Sequence, residues 1–164
     1  QRHYQRLQNL IPSDAISIGP DVPEELSLAP RLLPNTQWDA PVMQEEIFGP
    51  LLPLLPCADL AQALNALKGM ASPLALYIFS DSREESERIA KALPSGSVCF
   101  NDVMKTGTNH LLPIGGLGKS GDLRPQSVPK SHLLSTFENK NSFFYHKNSS
   151  CIVVAFFSVF IYSR

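Results

Sequence analysis

Between residues 51 and 101 the sequence alternates short apolar runs with amphipathic segments. The apolar runs are "LLPLLP", "LALYIFS" and "GSVCFN", and the segments between them are "DLAQALNALKGM" and "DSREESERIAKAL". Short apolar runs bounded by turn residues predict buried strands, whereas apolar residues at helical spacing predict helices with one buried face. Strands that alternate with helices of this length form β-α-β units. The pattern therefore predicts an α/β fold in which helices cover a parallel sheet.

Both predicted helices begin with a capping sequence. Asp59 stands three residues before Gln62, and Asp81 stands three residues before Glu84. At this spacing the two side chains can satisfy amide groups that the first helical turn leaves without partners. We therefore expect Asp59 and Asp81 to be the N-caps.

The two ends of the chain have different patterns. The pattern of residues 1–10 predicts a helix. We expect the later segment "LAPRLLP" to be a short extended piece at a sheet edge or in a loop, because of its prolines. "HLLSTF" and "NSFFYH" predict short closing strands. The apolar tail from Cys151 to Tyr162 is shorter than the roughly 20 residues that a helix needs to cross a bilayer. It predicts a strand, a membrane-surface anchor or an aggregation-prone end.

Composition excludes several classes of function. The chain has 164 residues, 43% of them hydrophobic and 18% charged, which is typical of one globular domain. A net charge of -1 with scattered Lys and Arg gives no basis for a nucleic-acid partner. The three cysteines and four histidines show neither a disulfide pattern nor metal-ligand spacing, so we expect no metal site. The N-terminal residues contain no apolar signal core, and we expect a reducing, cytoplasmic location.

The loop "GGLGKSG", Gly115–Gly121, contains the Gly-Lys-Ser of a phosphate-binding P-loop. That motif requires a glycine where this chain has Pro113, and it requires a following helix, which Pro125 and Pro129 would break. The loop also matches G-x-G-x-x-G, but the strand before it and the helix after it that a dinucleotide site needs are not predicted. We therefore predict a tight loop that uses the conformational freedom of glycine.

Three motifs occur in order along the chain: "MQEEIFGP", "FNDV" and "LPIGGLGKSG". With the β-α-β-α-β pattern between the first two, they resemble the C-terminal part of the NAD(P)-dependent aldehyde dehydrogenase superfamily from Gln1 to about Lys147. The runs "MQEEIFGPLLPLLP", "PLALYIF" and "TFENKNSFFYHK" are most similar to its class 3 and coniferyl aldehyde dehydrogenase branch. The resemblance implies an incomplete parallel βαβαβ catalytic core in residues 1–130 and closing strands of the oligomerisation sheet in residues 131–147. Residues 148–164 form an apolar tail outside it.

The resemblance also implies roles for individual residues. In the family, the glutamate at the position of Glu46 hydrogen-bonds the ribose hydroxyls beside nicotinamide, and the phenylalanine at the position of Phe48 packs against the nicotinamide. A carboxylate can accept from two adjacent hydroxyls, and an aromatic face can position a flat ring. Ile114 takes the place of an aromatic residue in the loop that lines the side by which the aldehyde enters. Without the resemblance, Glu46 would be read as a solvated surface acid and Phe48 as a core residue.

The implied activity is oxidation of an aldehyde, in the coniferyl branch an aromatic one, to a carboxylic acid with NAD or NADP. In the family a cysteine thiolate attacks the aldehyde, hydride passes to nicotinamide, and a glutamate base helps water to hydrolyse the thioester. Those residues and the Rossmann domain lie upstream of the region that this chain resembles. None of Cys57, Cys99 and Cys151 is placed to replace the nucleophile. We therefore identify no catalytic residue and expect no turnover from this chain by itself.

An alternative comes from the quaternary structure of the family, whose members form homodimers. An exposed edge strand offers unpaired amides and carbonyls to a partner strand. The chain would then be a non-catalytic oligomerisation or interaction fragment that pairs with full-length subunits, with the tail helping association or membrane contact.

Overall fold

The computed structural model describes residues 1–108, 115–120, 136–138, 152–156 and 159–163. The chain divides into two compact units, Gln1–Pro56 with Ser158–Phe160, and Cys57–Phe157 with Ile161–Arg164. The described strands are β1 (Ile16–Ser17), β2 (Arg31–Leu33), β3 (Leu51–Cys57), β4 (Ala75–Phe79), β5 (Ser97–Phe100), β6 (Thr136–Glu138), β7 (Ile152–Phe156) and β8 (Val159–Ser163). The described helices are α1 (Arg2–Asn9), α2 (Leu60–Lys68), α3 (Arg83–Ala92) and the short α4 (Lys105–Thr108).

In the first unit, helix α1 forms where the sequence predicts it. Strand β2 pairs in parallel with β3 on one side and antiparallel with β1 on the other. The expectation that the "LAPRLLP" segment lies at a sheet edge or in a loop is therefore wrong. Pro30 and Pro34 flank the three residues of β2 and so remove no amide from its ladder. Leu33 at the end of β2 is fully buried, which places it in the core of this unit.

In the second unit, β4 and β5 are parallel, with Ala75 opposite Ser97 and Ile78 opposite Phe100. Helix α3 connects them, so this β-α-β unit is confirmed, and β6 adds a further parallel strand next to β5. The inner residues of β4 and β5 are buried on both faces, as parallel strands covered by helices usually are. The predicted α/β fold with parallel strands is confirmed.

The other edge of β4 pairs antiparallel with β7, which comes from the apolar tail. Of the three interpretations of this tail, the structure therefore supports a strand. The predicted closing strand "HLLSTF" overlaps β6, whereas "NSFFYH" lies outside the described residues. Among the helices that the structure describes, none has the length and apolar character needed to cross a membrane.

The caps of α2 and α3 are the two most specific local predictions. The Asp59 carboxylate accepts from the Gln62 amide, with 2.8 Å between Oδ1 and N, as predicted. The prediction of Asp81 as the cap of α3 is wrong by one residue: Ser82 is the N-cap, and its Oγ accepts from the Glu85 amide at 3.2 Å. Helix α3 therefore starts at Arg83.

Candidate functional site

The EEIFG segment, Glu45–Gly49, lies between a short 3-10 turn at Pro41–Met43 and the start of β3. Ile47 is fully buried and anchors the segment in the core of the first unit. Both residues predicted to bind a cofactor are exposed, and 73% of Phe48 is accessible to solvent. The interpretation of Phe48 as a core residue, which the sequence alone would favour, is therefore wrong. Phe48 is thus exposed, two residues after the exposed Glu46.

The backbone at Phe48 has an unusual conformation. Its φ angle is +45°, in the left-handed region that non-glycine residues rarely adopt. Such a conformation costs roughly 1–3 kcal/mol and persists only where surrounding contacts impose it. Gly49 follows directly, and a Cβ at that position would lie 2.6 Å from both methyl carbons of Leu7. A side chain at position 49 would therefore require the Leu7 side chain of helix α1 to move.

Helix α1 holds the segment chiefly through the guanidinium of Arg6. One nitrogen, Nη1, donates to Glu45 Oε1 at 2.7 Å and to the Glu46 carbonyl at 3.4 Å. The other, Nη2, donates to the Ile47 carbonyl. The side chains of Arg6 and Glu45 are 30% and 50% exposed, so their ion pair by itself contributes on the order of 0–1 kcal/mol. The contact is therefore more important for the geometry of the segment than for stability.

His3 extends this contact to the next residue. Its Nε2 lies 2.8 Å from the Phe48 carbonyl, and its Nδ1 lies 3.5 Å from Arg6 Nη2. Because a carbonyl can only accept, Nε2 must carry the proton, which leaves Nδ1 able to accept from Arg6. Side chains of α1 thus bond the carbonyls of three consecutive residues, Glu46, Ile47 and Phe48.

Sequence reasoning did not identify His3, Arg6 and Leu7 as parts of this site. It considered the histidines only as metal ligands and residues 1–10 only as a helix. Two weak signals are present in the sequence: the spacing of His3 and Arg6 by one helical turn, and the opposite charges of Arg6 and "EE". Neither signal shows that segments about 40 residues apart meet, because that contact is set by tertiary packing.

The described cysteines have properties opposite to those of a reactive nucleophile. Burial, and to a lesser degree the Asp102 carboxylate, raises the pKa of the Cys99 thiol to about 11. Burial, and then the Asp59 carboxylate, also raises the pKa of Cys57. A reactive cysteine needs a lowered pKa, because the thiolate is the attacking form. Cys151 lies outside the described residues.

The glycine loop is described only in part. Ile114 lies outside the described residues. Gly118 has a φ angle of +57°, and the Ser120 hydroxyl accepts from the Leu117 amide at 2.8 Å and donates to the Leu117 carbonyl at 2.9 Å. The prediction of a tight loop that uses glycine is confirmed at Gly118, and the Ser120 hydroxyl is bonded within the loop itself.

Within the described residues, no three His, Cys, Asp or Glu side chains form a group that could hold a metal ion.

Most of the chain is similar to known proteins of one family. The model of the "Aldehyde dehydrogenase family" matches residues 14–135. Aldehyde dehydrogenase family 3 member B1 of Bos taurus is 42% identical over 122 residues, which cover 74% of this chain and 26% of the relative. Family 3 member A2 of Mus musculus is 40% identical over 121 residues, which cover 73% of this chain and 25% of the relative. The mouse protein named "Aldehyde dehydrogenase, dimeric NADP-preferring" is 36% identical over 156 residues, which cover 93% of this chain and 31% of the relative.

A solved structure agrees with these relatives. The "Substrate bound state of Staphylococcus Aureus AldH" superposes with a TM-score of 0.68 at 34% identity, covering 73% of this chain and 27% of that chain. The chain spans about a quarter to a third of the length of these relatives. Members of family 3 are among them, as the resemblance to the class 3 branch predicts. Since the family model matches most of its residues, the chain belongs to the aldehyde dehydrogenase family.

Proposed function

We propose that the EEIFG segment is the nicotinamide-ribose half of a cofactor site in an NAD(P)-dependent aldehyde dehydrogenase. The observation that carries this proposal is the exposure of Glu46 and Phe48 on a segment whose backbone is fixed from behind by α1. An aromatic ring that is 73% exposed offers a free apolar surface to a planar ligand. Family membership supports the reaction class, oxidation of an aldehyde to a carboxylic acid.

The chemistry of the segment fits the nicotinamide end of the cofactor. Glu46 would accept hydrogen bonds from two adjacent ribose hydroxyls, because a carboxylate is an acceptor with two oxygens. Phe48 would limit the orientations of the nicotinamide ring, which supplies the hydride acceptor when the cofactor is bound. Fixing that orientation counts because hydride transfer requires aligned, closely placed atoms. Among the described residues, the Glu46 carboxylate has no hydrogen-bond partner, and only its carbonyl accepts from Arg6.

The chain by itself is proposed to be inactive. The raised pKa values of the Cys57 and Cys99 thiols leave neither as a nucleophile at neutral pH. In a complete enzyme of this family, the nucleophile, the base and the adenosine contacts would come from residues other than these 164. We further propose that Ile114 lines the aldehyde side of the site, that the substrate is aromatic, and that NAD or NADP serves as oxidant. The cytoplasmic location stays a prediction.

Binding is tested through a unique label. Phe48-Gly49 is the only Phe-Gly step in the sequence, so isotopes at Phe carbonyls and Gly amides together select one amide signal. Titration with nicotinamide mononucleotide should shift that signal saturably, and Glu46→Gln should weaken the binding. In Phe48→Ala, where an alanine carbonyl label replaces the phenylalanine label to select the same Gly49 amide, the binding should also be weaker. Glu24→Gln, an exposed acid elsewhere in the first unit, is the matched control and should bind like the wild type. A wild-type signal that does not move up to millimolar ligand would refute the proposed site.

Inactivity is tested by turnover. The purified chain is incubated with NAD or NADP and with an aromatic or a medium-chain aldehyde, and the absorbance of reduced cofactor is followed. We expect no rate above that of a reaction without protein. Sustained cofactor reduction that depends on the chain would show that it contains a complete reaction centre and would contradict this part of the proposal.

One observation favours the second function, an interaction module for intact subunits. The two-residue strand β1 pairs with β2, and it carries Ile16, which is 53% exposed; the neighbouring Ile18 is 59% exposed. Exposed apolar residues at a short strand are compatible with pairing to a partner strand. Co-expression with an intact class 3 subunit distinguishes the two functions. An interaction module should co-purify with that subunit, and the double variant Ile16→Lys, Ile18→Lys should abolish co-purification.

A further inference from the structure

We infer that Arg6 and His3 are positioning residues that set the conformation of the EEIFG segment and thereby its affinity for the cofactor. This inference rests on the proposed function of Glu46 and Phe48. It adds a role for helix α1, whose residues contact the backbone of the segment. Neither residue needs to touch the cofactor.

The first argument is the pattern of the contacts. Arg6 and His3 lie one helical turn apart on α1 and donate to carbonyls 46, 47 and 48 in order along the chain. These are main-chain acceptors, so the bonds fix φ and ψ of the residues that carry the proposed binding groups. Two side chains of helix α1 thus determine the backbone positions from which the Glu46 and Phe48 side chains extend.

The second argument is the left-handed φ angle of +45° at Phe48. A phenylalanine adopts this conformation only where its surroundings favour it strongly. The bond from His3 Nε2 to the Phe48 carbonyl, 2.8 Å long, holds the peptide that follows this φ angle. Because Arg6 Nη2 lies 3.5 Å from His3 Nδ1, the guanidinium also orients the imidazole. The two residues therefore act as one unit.

The third argument is the different use of the two adjacent glutamates. Glu45 Oε1 accepts from Arg6 Nη1 at 2.7 Å, so the positive charge of Arg6 is paired with the first glutamate. The second, Glu46, bonds Arg6 only through its carbonyl. Within the described part of the chain, the Arg6 guanidinium is thus paired with the Glu45 carboxylate and not with that of Glu46. Glu45 is therefore the structural member of the pair and Glu46 the proposed ligand-binding member.

The fork of the Arg6 guanidinium makes a further distinction possible. Arginine presents several donors in a fixed plane, whereas lysine presents one compact ammonium group. Lysine at position 6 could retain the ion pair with Glu45, but its single nitrogen cannot occupy the positions of both Nη1 and Nη2, so the bond to the Ile47 carbonyl would be lost. Arg6→Lys should therefore behave like Arg6→Ala in positioning, although it keeps the charge.

The test uses the full chain and the same unique Phe48-Gly49 signal. In the absence of ligand, Arg6→Ala, Arg6→Lys and His3→Ala should each move this signal away from its wild-type position. His3→Gln, whose side-chain amide can still donate to the Phe48 carbonyl, should restore it at least in part. Arg2→Ala, at an exposed position on the same helix, is the matched control and should leave it in place.

The second readout is the dissociation constant for nicotinamide mononucleotide. Loss of a charge-assisted contact should raise it roughly tenfold in Arg6→Ala and Arg6→Lys. Glu45→Gln, which removes the ion pair but keeps the guanidinium, should raise it less. Circular dichroism verifies that each variant is folded. If Arg6→Ala does not fold, the comparison of His3→Ala with His3→Gln tests whether the contacts from α1 position the segment.

The outcomes separate this inference from the proposed function. If the wild type does not bind the mononucleotide, the proposed function fails, but the ligand-free signal still reports whether Arg6 and His3 position the segment. If folded Arg6→Ala and His3→Ala both keep the wild-type signal, the inference is wrong. If the signal moves while the affinity stays at the wild-type value, the two residues are structural only, which also overturns it.

Discussion

At the scale of single residues, the site depends on a conformation that the sequence does not show. The motif "EEIFGP" identifies Glu46 and Phe48 through the family resemblance, but nothing in the letters indicates a φ angle of +45° at Phe48. Likewise, Gly49 reads as a turn residue, whereas its main constraint is the nearby Leu7 side chain. Residue types were thus predictable, but the contacts that shape the backbone were not, since they come from a distant helix.

Substitution of Phe48 should separate stability from binding. Phe48→Gly should be more stable than Phe48→Ala by about 1 kcal/mol, because glycine adopts positive φ without the steric cost that a Cβ brings. Loss of the ring itself should cost little, since 73% of it is exposed. Both variants should lose affinity for nicotinamide mononucleotide. Urea unfolding measures the stability and isothermal titration calorimetry with the mononucleotide measures the affinity, and equal stability of the glycine and alanine variants would argue against strain at this position.

The cysteines give a second prediction at the residue scale. A Cys99 pKa of about 11 means that its thiol stays protonated in the folded chain well above neutral pH. Near about pH 8, iodoacetamide should therefore modify Cys99 only after unfolding, while the half-buried Cys57 reacts slowly in the native chain. Peptide mapping by mass spectrometry with and without urea measures this. Rapid native modification of Cys99 would contradict the assignment of both thiols as non-nucleophilic.

The raised pKa of Cys99 also has a consequence for stability. Because the unfolded thiol loses its proton at lower pH than the folded one, this group stabilises the fold fully below the unfolded pKa. Its contribution is lost as the pH rises towards about 11.

At the scale of elements, the sequence predicted the helices better than their first residues. "DSREE" offers two capping frames, Asp81 with Glu84 and Ser82 with Glu85, and both satisfy the same spacing rule. The structure selects the second frame, in which the Ser82 side chain caps and its carbonyl accepts from the Ser86 amide and hydroxyl. The spacing rule left the two frames equivalent, and in the structure the Ser80 hydroxyl, which donates to Glu85 and accepts from the Ser82 amide, accompanies the second frame.

The choice of frame can be tested by a matched pair of variants. Ser82→Ala should lower the free energy of unfolding by about 1 kcal/mol, because the amide of Glu85 loses its side-chain acceptor. Asp81→Ala should lower the free energy of unfolding by only a few tenths of a kcal/mol, the amount expected for an exposed acid near a helix N-terminus. Urea denaturation followed by circular dichroism measures both. A larger loss for Asp81→Ala than for Ser82→Ala would favour the rejected frame.

At the scale of the whole molecule, the alternation of strands and helices was sufficient to predict the α/β class and the parallel pair β4–β5. The partner of the tail could not be predicted in this way. β7 pairs with β4 from about 75 residues further along the chain, and an apolar run contains no information on which edge it will join. The pairing of β4 with β5 is therefore readable from one sequence, whereas a long-range antiparallel pairing is not.

The pairing of β7 with β4 makes a prediction for the tail. In the ladder Val154 stands opposite Tyr77, at the middle of both strands. Val154→Pro removes an amide and fits poorly inside a sheet, so it should release β7 and leave one edge of β4 without a partner. Deuterium exchange of the β4 amides should then accelerate, while helix α1 serves as the internal reference. An uncovered strand edge also invites pairing with other molecules, so light scattering should detect self-association of the variant. Unchanged exchange in β4 together with a monodisperse variant would show that the tail does not contribute to this sheet.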